Sequence, residues 1–217
     1  NIDVVTKNGK ILYGLGAEEN WQELPNQGSL CVKGRFGLGF VNSPKRLTTP
    51  LIRKNGQLVE ATWEEALAAA AAGLKKVLDK DGPRAIGCLS SAKTSNEDNY
   101  AMMRFARGVI KTNNIDHCAR LCHSSTVAGL AATLGSGAMT NSMQEAMKSD
   151  VILITGSNTT WCHPVFGGMI KKAVKEKGVK LIVIDPRETD LAKIADIHIR
   201  QKGGSDVAWL MGIQKII

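Results

Sequence analysis

Two short runs of aliphatic residues in the C-terminal part constrain the fold of this chain more than any other feature. Residues 151–155 (Val-Ile-Leu-Ile-Thr) and 180–184 (Lys-Leu-Ile-Val-Ile) have the continuous apolar character of buried parallel strands. Between them, the segment from Pro164 to Lys177 has the length of a helix. A strand, helix, strand unit of this kind places both strands parallel in one sheet. The sequence therefore predicts an α/β fold with a parallel sheet.

Capping signals predict two helices earlier in the chain. Thr62 followed three residues later by Glu65 is a capping box, and the alanine-rich segment after it favours a helix over about 63–79. Ser95 with Asp98 predicts the start of a second helix in the same way. The apolar residues expected on one side of this second helix are Tyr100, Met103, Ala106 and Ile110.

The remaining segments carry weaker signals. The Asn8-Gly9 pair predicts a tight turn between two short strands within residues 2–13. The stretch 14–51 is rich in turn-forming residues and is expected to be irregular. Shorter patterns predict a strand at 84–89, a short helix at 188–193, a strand at 196–199 and a helix from Asp206 onward.

Charge and composition exclude several classes of protein. Twenty-eight Lys and Arg against twenty Asp and Glu give a net charge of +8. The basic residues are spread along the chain and only 5% of residues are aromatic, so we predict no nucleic-acid partner. The longest apolar run, Ala66–Leu74, is far shorter than the roughly 20 residues that cross a bilayer, so no transmembrane segment is predicted. The positive charge fits a solvated surface, a subunit interface or an anionic cofactor.

The cysteines indicate the compartment. There are five, scattered along the chain, which does not fit a secreted disulfide framework. We therefore predict a reducing, cytoplasmic location. The chain begins at Asn1 without a signal peptide, and a periplasmic location stays open because an export signal could lie upstream.

Small and charged residues follow each of the two aliphatic runs. Ligands of parallel sheets bind beyond the carboxyl ends of the strands. Here these positions hold Gly156-Ser157-Asn158 after the first run, and Asp185 and Arg187 after the second. Backbone N–H groups beside a glycine suit a phosphate, and a carboxylate suits a ribose or base. The NAD pattern G-x-G-x-x-G is absent, so the residues predict either another kind of nucleotide site or ordinary turns with a helix cap.

A second cluster, residues 117–123 (His-Cys-Ala-Arg-Leu-Cys-His), combines two thiols with two imidazoles. These groups bind soft metals, although a structural zinc site normally has a second cysteine pair that is missing here. Cys122 is also a candidate nucleophile, but adjacent residues on a strand point to opposite faces, which disfavours a direct pair with His123. We expect Cys118 to be a small buried apolar residue. Cys31 has no cysteine neighbour and carries little information by itself.

Three stretches taken together are more specific than any one of them. They are residues 28–36, residues 118–130, and residues 150–158 followed by Asp185-Pro-Arg187. They resemble the catalytic subunit of molybdenum- or tungsten-dependent formate dehydrogenases, in the bis-molybdopterin guanine dinucleotide oxidoreductase family. The likeness runs from Ile2 to the C-terminus. It implies an N-terminal remnant of an iron–sulfur domain, followed along the chain by Rossmann-like pterin-binding domains.

The resemblance assigns roles to individual residues. Cys122 falls where the family has its protein ligand to molybdenum or tungsten, and His123 is the adjacent histidine near the substrate. Cys31 matches the last cysteine of a C-x2-C-x3-C…C motif for a [4Fe-4S] cluster, and Lys33 matches the lysine between that cluster and a pterin. The implied contacts to the guanine dinucleotide are Gly156, Ser157, Asn158, Asp185 and Arg187, with Lys93, Gly204 and Asp206 as further candidates.

The resemblance also implies a domain organisation. Residues 1–50 would be the remnant of the [4Fe-4S] domain, and residues 51–217 an incomplete molybdopterin-binding α/β region. The first three cluster cysteines are expected just before Asn1, and a substrate-binding arginine is expected beyond Ile217. The chain is thus expected to be the N-terminal part of a larger subunit, unable to bind the cluster or oxidise formate by itself.

The implied reaction is the reversible oxidation of formate to carbon dioxide. Electrons would leave through the cluster to electron-transfer subunits, either iron–sulfur or NAD-linked. Two alternatives are another molybdenum or tungsten oxidoreductase, such as a nitrate reductase, and a non-catalytic electron-transfer subunit of the same family. The Cys122-His123 pair disfavours the first alternative, and the retention of Arg120 together with this pair disfavours the second. The sequence leaves open the choice between molybdenum and tungsten.

Overall fold

The computed structural model describes residues 2–217, which divide into two compact units. One unit is Leu47–Met139, and the other combines the chain up to Arg46 with Thr140–Ile217. The strands are β1 (Ile2–Lys7), β2 (Lys10–Gly16), β3 (Leu51–Lys54), β4 (Gln57–Glu60), β5 (Cys88–Ser90), β6 (Ile115–His117), β7 (Val151–Thr155), β8 (Lys180–Ile184) and β9 (Ile197–Ile199).

Most helices are short. The α-helices are α1 (Val32–Phe36), α2 (Trp63–Asp81), α3 (Asn96–Arg104), α4 (Ala119–Cys122), α5 (Ser124–Leu134), α6 (Met143–Ala146), α7 (Thr159–Cys162), α8 (Pro164–Lys177) and α9 (Asp206–Ile216). Segments of 3-10 helix lie at Gly37–Asn42, Pro83–Ala85 and Ala192–Ile194, and Phe105–Ile110 is π-helical. Within residues 2–217, none of the helices has both the length and the apolarity needed to span a membrane.

The N-terminal hairpin forms as its sequence predicts. Strands β1 and β2 pair antiparallel, and Asn8 and Gly9 between them have φ of 51° and 73°. Positive φ at both central residues is the geometry of a tight hairpin turn that matches the twist of the strands. The prediction that 14–51 is irregular was wrong in part, because α1 and a 3-10 turn pack against β2. The Asn42 amide holds this segment by donating to the Ile11 carbonyl at 2.7 Å.

The two capping boxes begin their helices where predicted. The Thr62 hydroxyl accepts from the Glu65 N–H at 3.2 Å, while the Glu65 carboxylate accepts from the Thr62 N–H at 2.9 Å. Helix α2 then continues two residues beyond the expected end. Helix α3 also begins at its cap but turns π-helical at Phe105. Because of this change in helical register, the four predicted apolar residues do not form one continuous buried face. Ala106 and Ile110 are buried, whereas Tyr100 is exposed.

Each unit contains a parallel strand arrangement. In the unit Leu47–Met139, β5 pairs with β6 over three residues, from Cys88 opposite Ile115 to Ser90 opposite His117. This strand is shorter than the predicted 84–89, because Pro83–Ala85 forms a 3-10 turn.

The larger sheet has the order β7-β8-β9, all parallel, and confirms the α/β prediction. Its core lies between β8 and α8, where Leu181, Val183 and Ile170 are at most 1% exposed. Strand β7 is an edge strand with Val151 and Leu153 about half exposed, so the expectation of burial on both faces was wrong for it. The helix predicted at 188–193 is only the 3-10 turn Ala192–Ile194.

Candidate functional site

The carboxyl ends of β7, β8 and β9 meet at one edge of the larger sheet. The Gly156 N–H donates to the Ile184 carbonyl at 3.1 Å, and the Asp185 N–H donates to the Ile199 carbonyl at 3.1 Å. These two bonds extend the ladder by one residue beyond each strand. The first predicted site residue after β7 and the first after β8 are thereby brought to the same edge. The bond to the Ile184 carbonyl occupies the Gly156 N–H, so a phosphate at this edge has to accept from other N–H groups.

Asp185 is held in a fixed position. It is 7% exposed, and its Oδ1 accepts from the backbone N–H of Arg187 at 2.8 Å. The backbone of Asp185 is also in contact with β9, because His198 Nε2 lies 3.0 Å from the Asp185 carbonyl oxygen. A buried carboxylate on a rigid strand end can orient a polar ligand without rearranging. Arg187 itself is exposed and lies two residues farther along the chain.

The segment after β7 leaves free space above the sheet edge. Gly156 has φ of +58°, and no heavy atom lies within 4 Å of where a Cβ would be. The hydroxyls of Ser157 and Thr159 are 2.9 Å apart, and Asn158 accepts from Thr160 Oγ1 at 3.3 Å through its Oδ1. These short side chains support the turn into α7 without filling the space in front of it.

The segment after β9 contributes the third group of residues. Gly204 has φ of +81° in the turn before α9, and Asp206 opens that helix and accepts from Trp209 Nε1 at 3.3 Å. Sequence reasoning missed Gln201, whose buried Oε1 has no hydrogen-bond partner within residues 2–217. Its position two residues after β9 was the available signal, since the carboxyl-end rule applies to that strand as well.

Three observations at this edge fit a bound polar nucleotide group. The Asp185 carboxylate is buried and uses one recorded acceptor site, the space above Gly156 is open, and the Gln201 amide oxygen lacks a partner in the described chain. A buried polar atom without a partner costs about 1–3 kcal/mol, which a ligand donor would recover.

The second candidate site lies in the unit Leu47–Met139, at the junction of α4 and α5. Helix α4 ends at Cys122, and His123 caps both helices with φ of −138°. The His123 N–H donates to the Ala119 carbonyl at 3.1 Å. Both side chains are exposed, and the neighbouring Leu121 is 97% exposed. The expectation that Cys122 and His123 lie on a strand was therefore wrong: they lie on a helix end, where both side chains are accessible.

A network of hydrogen bonds fixes the turn that carries Cys122. Asp116 accepts from Arg120 Nε at 2.7 Å through one carboxylate oxygen, and from the His117 N–H at 2.8 Å through the other. These bonds, that from Arg120 foremost, hold the pKa of Asp116 below its ordinary value. The Ala119 N–H donates to His117 Nδ1 at 3.1 Å, and the Ser124 hydroxyl donates to the Arg120 carbonyl at 2.6 Å. Asp116 and Arg120 thus position the turn, a role the sequence did not indicate.

Cys118 is exposed, which corrects the expectation of a buried apolar role. Its Sγ accepts from the Ala92 N–H at 3.4 Å. This contact brings the loop after β5, with the exposed Lys93, close to the loop after β6. Lys93 is thus the one predicted cofactor contact in the same unit as Cys122.

Cys122 is a lone thiol donor. Within residues 2–217 no group of three or more His, Cys, Asp or Glu side chains could together hold a metal ion. A single exposed thiol fits a soft metal whose other ligands come from a cofactor, and does not fit an all-protein zinc site.

Cys31 and Lys33 belong to the other unit, together with Gly156 and Asp185. Cys31 is the N-cap of α1, and the backbone N–H groups of Gly34 and Lys33 hold the pKa of its thiol below the ordinary value. A thiolate is the form that binds iron in a cluster. Lys33 lies in the first turn of α1 and is exposed.

Comparison with known families shows which family the chain belongs to. Residues 46–217 match the Molybdopterin oxidoreductase family, and residues 1–43 match the Molybdopterin oxidoreductase Fe4S4 domain. The chain belongs to the molybdopterin oxidoreductase family. The predicted cofactor classes, molybdopterin with molybdenum or tungsten and a [4Fe-4S] cluster, are confirmed by these two matches.

The chain is also similar to individual members of known families. The chain is 46% identical over its whole length to "F420-dependent formate dehydrogenase 2 subunit alpha" of Methanococcus maripaludis, and 42% identical to "Formate dehydrogenase H" of Escherichia coli. It spans 31% and 30% of these two relatives. A solved structure, "Acetylene Hydratase from Pelobacter acetylenicus", matches all of this chain and 30% of its own with a TM-score of 0.77 at 26% identity.

Proposed function

We propose that this chain contributes the metal-ligand turn and one nucleotide site of a molybdenum or tungsten formate dehydrogenase. The reaction converts formate into carbon dioxide and releases two electrons and one proton. The observation that carries the proposal is the exposed Cys122-His123 pair at a fixed helix junction, in a chain 42–46% identical to formate dehydrogenase subunits. The whole reaction requires the remainder of a large subunit, since the chain spans 31% of its relative.

Cys122 and His123 divide the chemistry between them. The Cys122 thiolate binds molybdenum or tungsten, which supplies two-electron redox capacity when bound. His123 holds formate by hydrogen bonding and accepts the proton at an imidazole nitrogen, because imidazole exchanges protons near neutral pH. Adjacent positions on one exposed helix end let both groups face the same substrate.

The sheet edge of the other unit holds a guanine dinucleotide of the cofactor. Asp185 accepts hydrogen bonds from the base or ribose, and Arg187 pairs with a phosphate. Gly156 leaves room for the ligand, while Ser157 and Asn158 present N–H and hydroxyl donors. Gly204 and Asp206 are further contacts at this edge in the proposal, and Lys93 is a cofactor contact proposed separately for the unit Leu47–Met139.

Cys31 would be one ligand of a [4Fe-4S] cluster, which would supply the route by which electrons leave. Lys33, two residues on, provides a polar link between cluster and pterin. The cluster domain covers residues 1–50 and the pterin-binding region 51–217 in this proposal. Electron-transfer subunits, iron–sulfur or NAD-linked, take the electrons onward. Five free cysteines in the described chain support a reducing, cytoplasmic location.

The chain offers a matched control for the central assignment. A second Cys-His pair, Cys162-His163, also ends a four-residue helix and is also exposed. The test uses the complete subunit that carries this sequence, purified from a host that makes molybdopterin. The measurements are metal content, the paramagnetic resonance signal of the metal, and reduction of a viologen dye by formate.

Cys122→Ser should change the metal signal and lower turnover at least a hundredfold, because hard oxygen replaces soft sulfur. Cys162→Ser should leave both unchanged. His123→Ala should keep the metal signal but lose turnover and alter its pH profile, whereas His163→Ala should not. Equal effects of the two pairs, or an unchanged signal in Cys122→Ser, would refute the assignment.

A further inference from the structure

A cavity of about 340 Å³ opens at the carboxyl ends of β5 and β6, within the unit Leu47–Met139. It is distinct from the nucleotide edge of the larger sheet, which belongs to the other unit. Parallel strands place ligand sites beyond their carboxyl ends, and the fold repeats that geometry here. The polar groups in its wall are Ser90, Asn99, Arg107, Asp116 and His117.

Two of the wall groups already have hydrogen-bond partners within the chain. Asn99 donates to the Ser91 and Ser95 carbonyls at 3.2 Å and 3.0 Å, and its Oδ1 accepts from the Ser90 hydroxyl. Asp116 uses one oxygen for Arg120 and the other for the His117 N–H. The guanidinium of Arg120 also neutralises the charge of Asp116. These bonds engage both oxygens of Asp116 and both ends of the Asn99 amide.

Two other wall groups are donors. Arg107 Nη1 reaches only the Met103 Sδ, at 3.5 Å, among its recorded partners in residues 2–217, and thioether sulfur is a weak acceptor. His117 Nδ1 accepts from the Ala119 N–H, so the neutral ring carries its hydrogen on Nε2. The cavity therefore offers one unneutralised positive charge and one imidazole N–H.

The backbone supports a ligand role for Arg107. It lies in the π-helical turn Phe105–Ile110, which ends at Lys111 with φ of +65°. The Thr112 N–H closes this turn by donating to the Ala106 carbonyl at 3.0 Å. Such turns are rare and occur frequently at functional sites.

We propose that this cavity is an access subsite for a small monocarboxylate, with formate as its occupant. One guanidinium and one N–H donor match the single charge and two oxygens of a carboxylate. His117 is on the same short segment as Cys122 and His123, and for this reason we assign the subsite to the approach to the proposed metal-ligand turn. The assignment of formate rests on the proposed function, while the preference for a small anion rests on the cavity alone.

The test measures formate binding, without turnover, to the complete subunit that carries this sequence, prepared free of metal. Sodium formate is titrated at constant ionic strength against sodium chloride, and the side-chain nitrogen resonances of arginine and histidine are followed by NMR. Arg107 and His117 should shift together and saturate. Arg107→Gln should weaken binding about tenfold or more, since a charge-assisted bond is lost.

Matched variants keep the test decisive. Arg104→Gln removes an exposed charge from the same helical segment outside the cavity and should change affinity less than twofold. His117→Asn keeps an acceptor for the Ala119 N–H but removes the Nε2 donor, so it should weaken binding and preserve the melting temperature.

Each outcome separates the subsite from the reaction. Formate turnover in the complete subunit without any formate shift at Arg107 and His117 would overturn the subsite and leave the proposed function standing. A saturable formate shift at Arg107 and His117, together with neither turnover nor metal in the complete subunit purified from a host that makes molybdopterin, would overturn the proposed function and leave the subsite standing. Stronger binding of inorganic phosphate than of formate, or equal losses in Arg104→Gln and Arg107→Gln, would also overturn the subsite.

Discussion

Gly156→Ala separates the conformational role of this residue from its proposed role beside a nucleotide. With φ of +58°, an alanine here would occupy the left-handed region, which costs about 1–2 kcal/mol. No contact adds to this cost, because the space within 4 Å of the new Cβ holds no protein atom. For a chain of this size, each kcal/mol lowers the melting temperature by about 2–4 °C. Thermal unfolding followed by circular dichroism should therefore show a decrease of about 2–8 °C.

Gly178 provides the matched control. It caps α8 with φ of +70°, and its Cβ would also meet nothing within 4 Å. Gly178→Ala should therefore lose the same stability. Only at Gly156 would the methyl group lie at the carboxyl edge of the larger sheet, so calorimetric titration with GDP should show at least tenfold weaker binding in Gly156→Ala and unchanged binding in Gly178→Ala. Equal GDP affinity in both variants would refute a ligand above Gly156, and an undiminished melting temperature would refute the strained turn.

Three further predictions concern stability. Thr62→Ala should cost about 1 kcal/mol by removing the acceptor for the N–H at the start of α2, whereas Thr62→Ser should cost little; urea unfolding measures both. Leu181→Ala should cost about 2–5 kcal/mol in the same assay, because the side chain is fully buried; a loss below 1 kcal/mol would contradict the core assignment. The hydrogen bond from Lys180, at 2.8 Å, holds the pKa of Asp196 below its ordinary value. This pair therefore stabilises the fold above a pH of about 3.9, the ordinary pKa of an aspartate. The stabilisation is lost as the pH falls through the lowered pKa of Asp196 in the folded state. Asp196→Asn should accordingly flatten the acid side of the plot of melting temperature against pH, and an unchanged slope there would count against the pair.

The predictable part of the fold is the part whose signals are local. Helix α8 begins and ends at the predicted residues, because Pro164 occupies its first position and Gly178 closes it in the left-handed conformation. Strands β7 and β8 likewise match their aliphatic runs. The capping boxes also depend only on residues three apart.

The wrong predictions depend on distant contacts. The segment 14–51 contains α1 because it packs on β2 and is tied by Asn42 to Ile11, thirty-one residues away, and no local pattern reports such a bond. The π-helical turn after α3 gives no signal in hydrophobic periodicity. The prediction that Cys118 is buried was wrong for the same reason, since its environment depends on the loop that contains Ala92.

For the site, sequence reasoning located positions better than roles. The carboxyl-end rule brought Gly156 and Asp185 to one edge, as the sheet topology confirms. It did not reveal the unpartnered Gln201 or the Asp116–Arg120 pair. Both depend on side-chain directions that emerge only after the strands and helices have packed.

The ladder bonds of Gly156 and Asp185 also bear on how the proposed nucleotide site at this sheet edge would bind its ligand. Because their amide protons are bonded to neighbouring strands, these two residues should exchange hydrogen with solvent as slowly as the buried strands do, although they begin loops. Little backbone freedom remains to be lost when a ligand arrives, so binding at this edge carries a small entropic cost. The flanking positions Ser157, Asn158 and Arg187 could then be exchanged to alter which nucleotide is accepted, while the strand ends that support them stay unchanged.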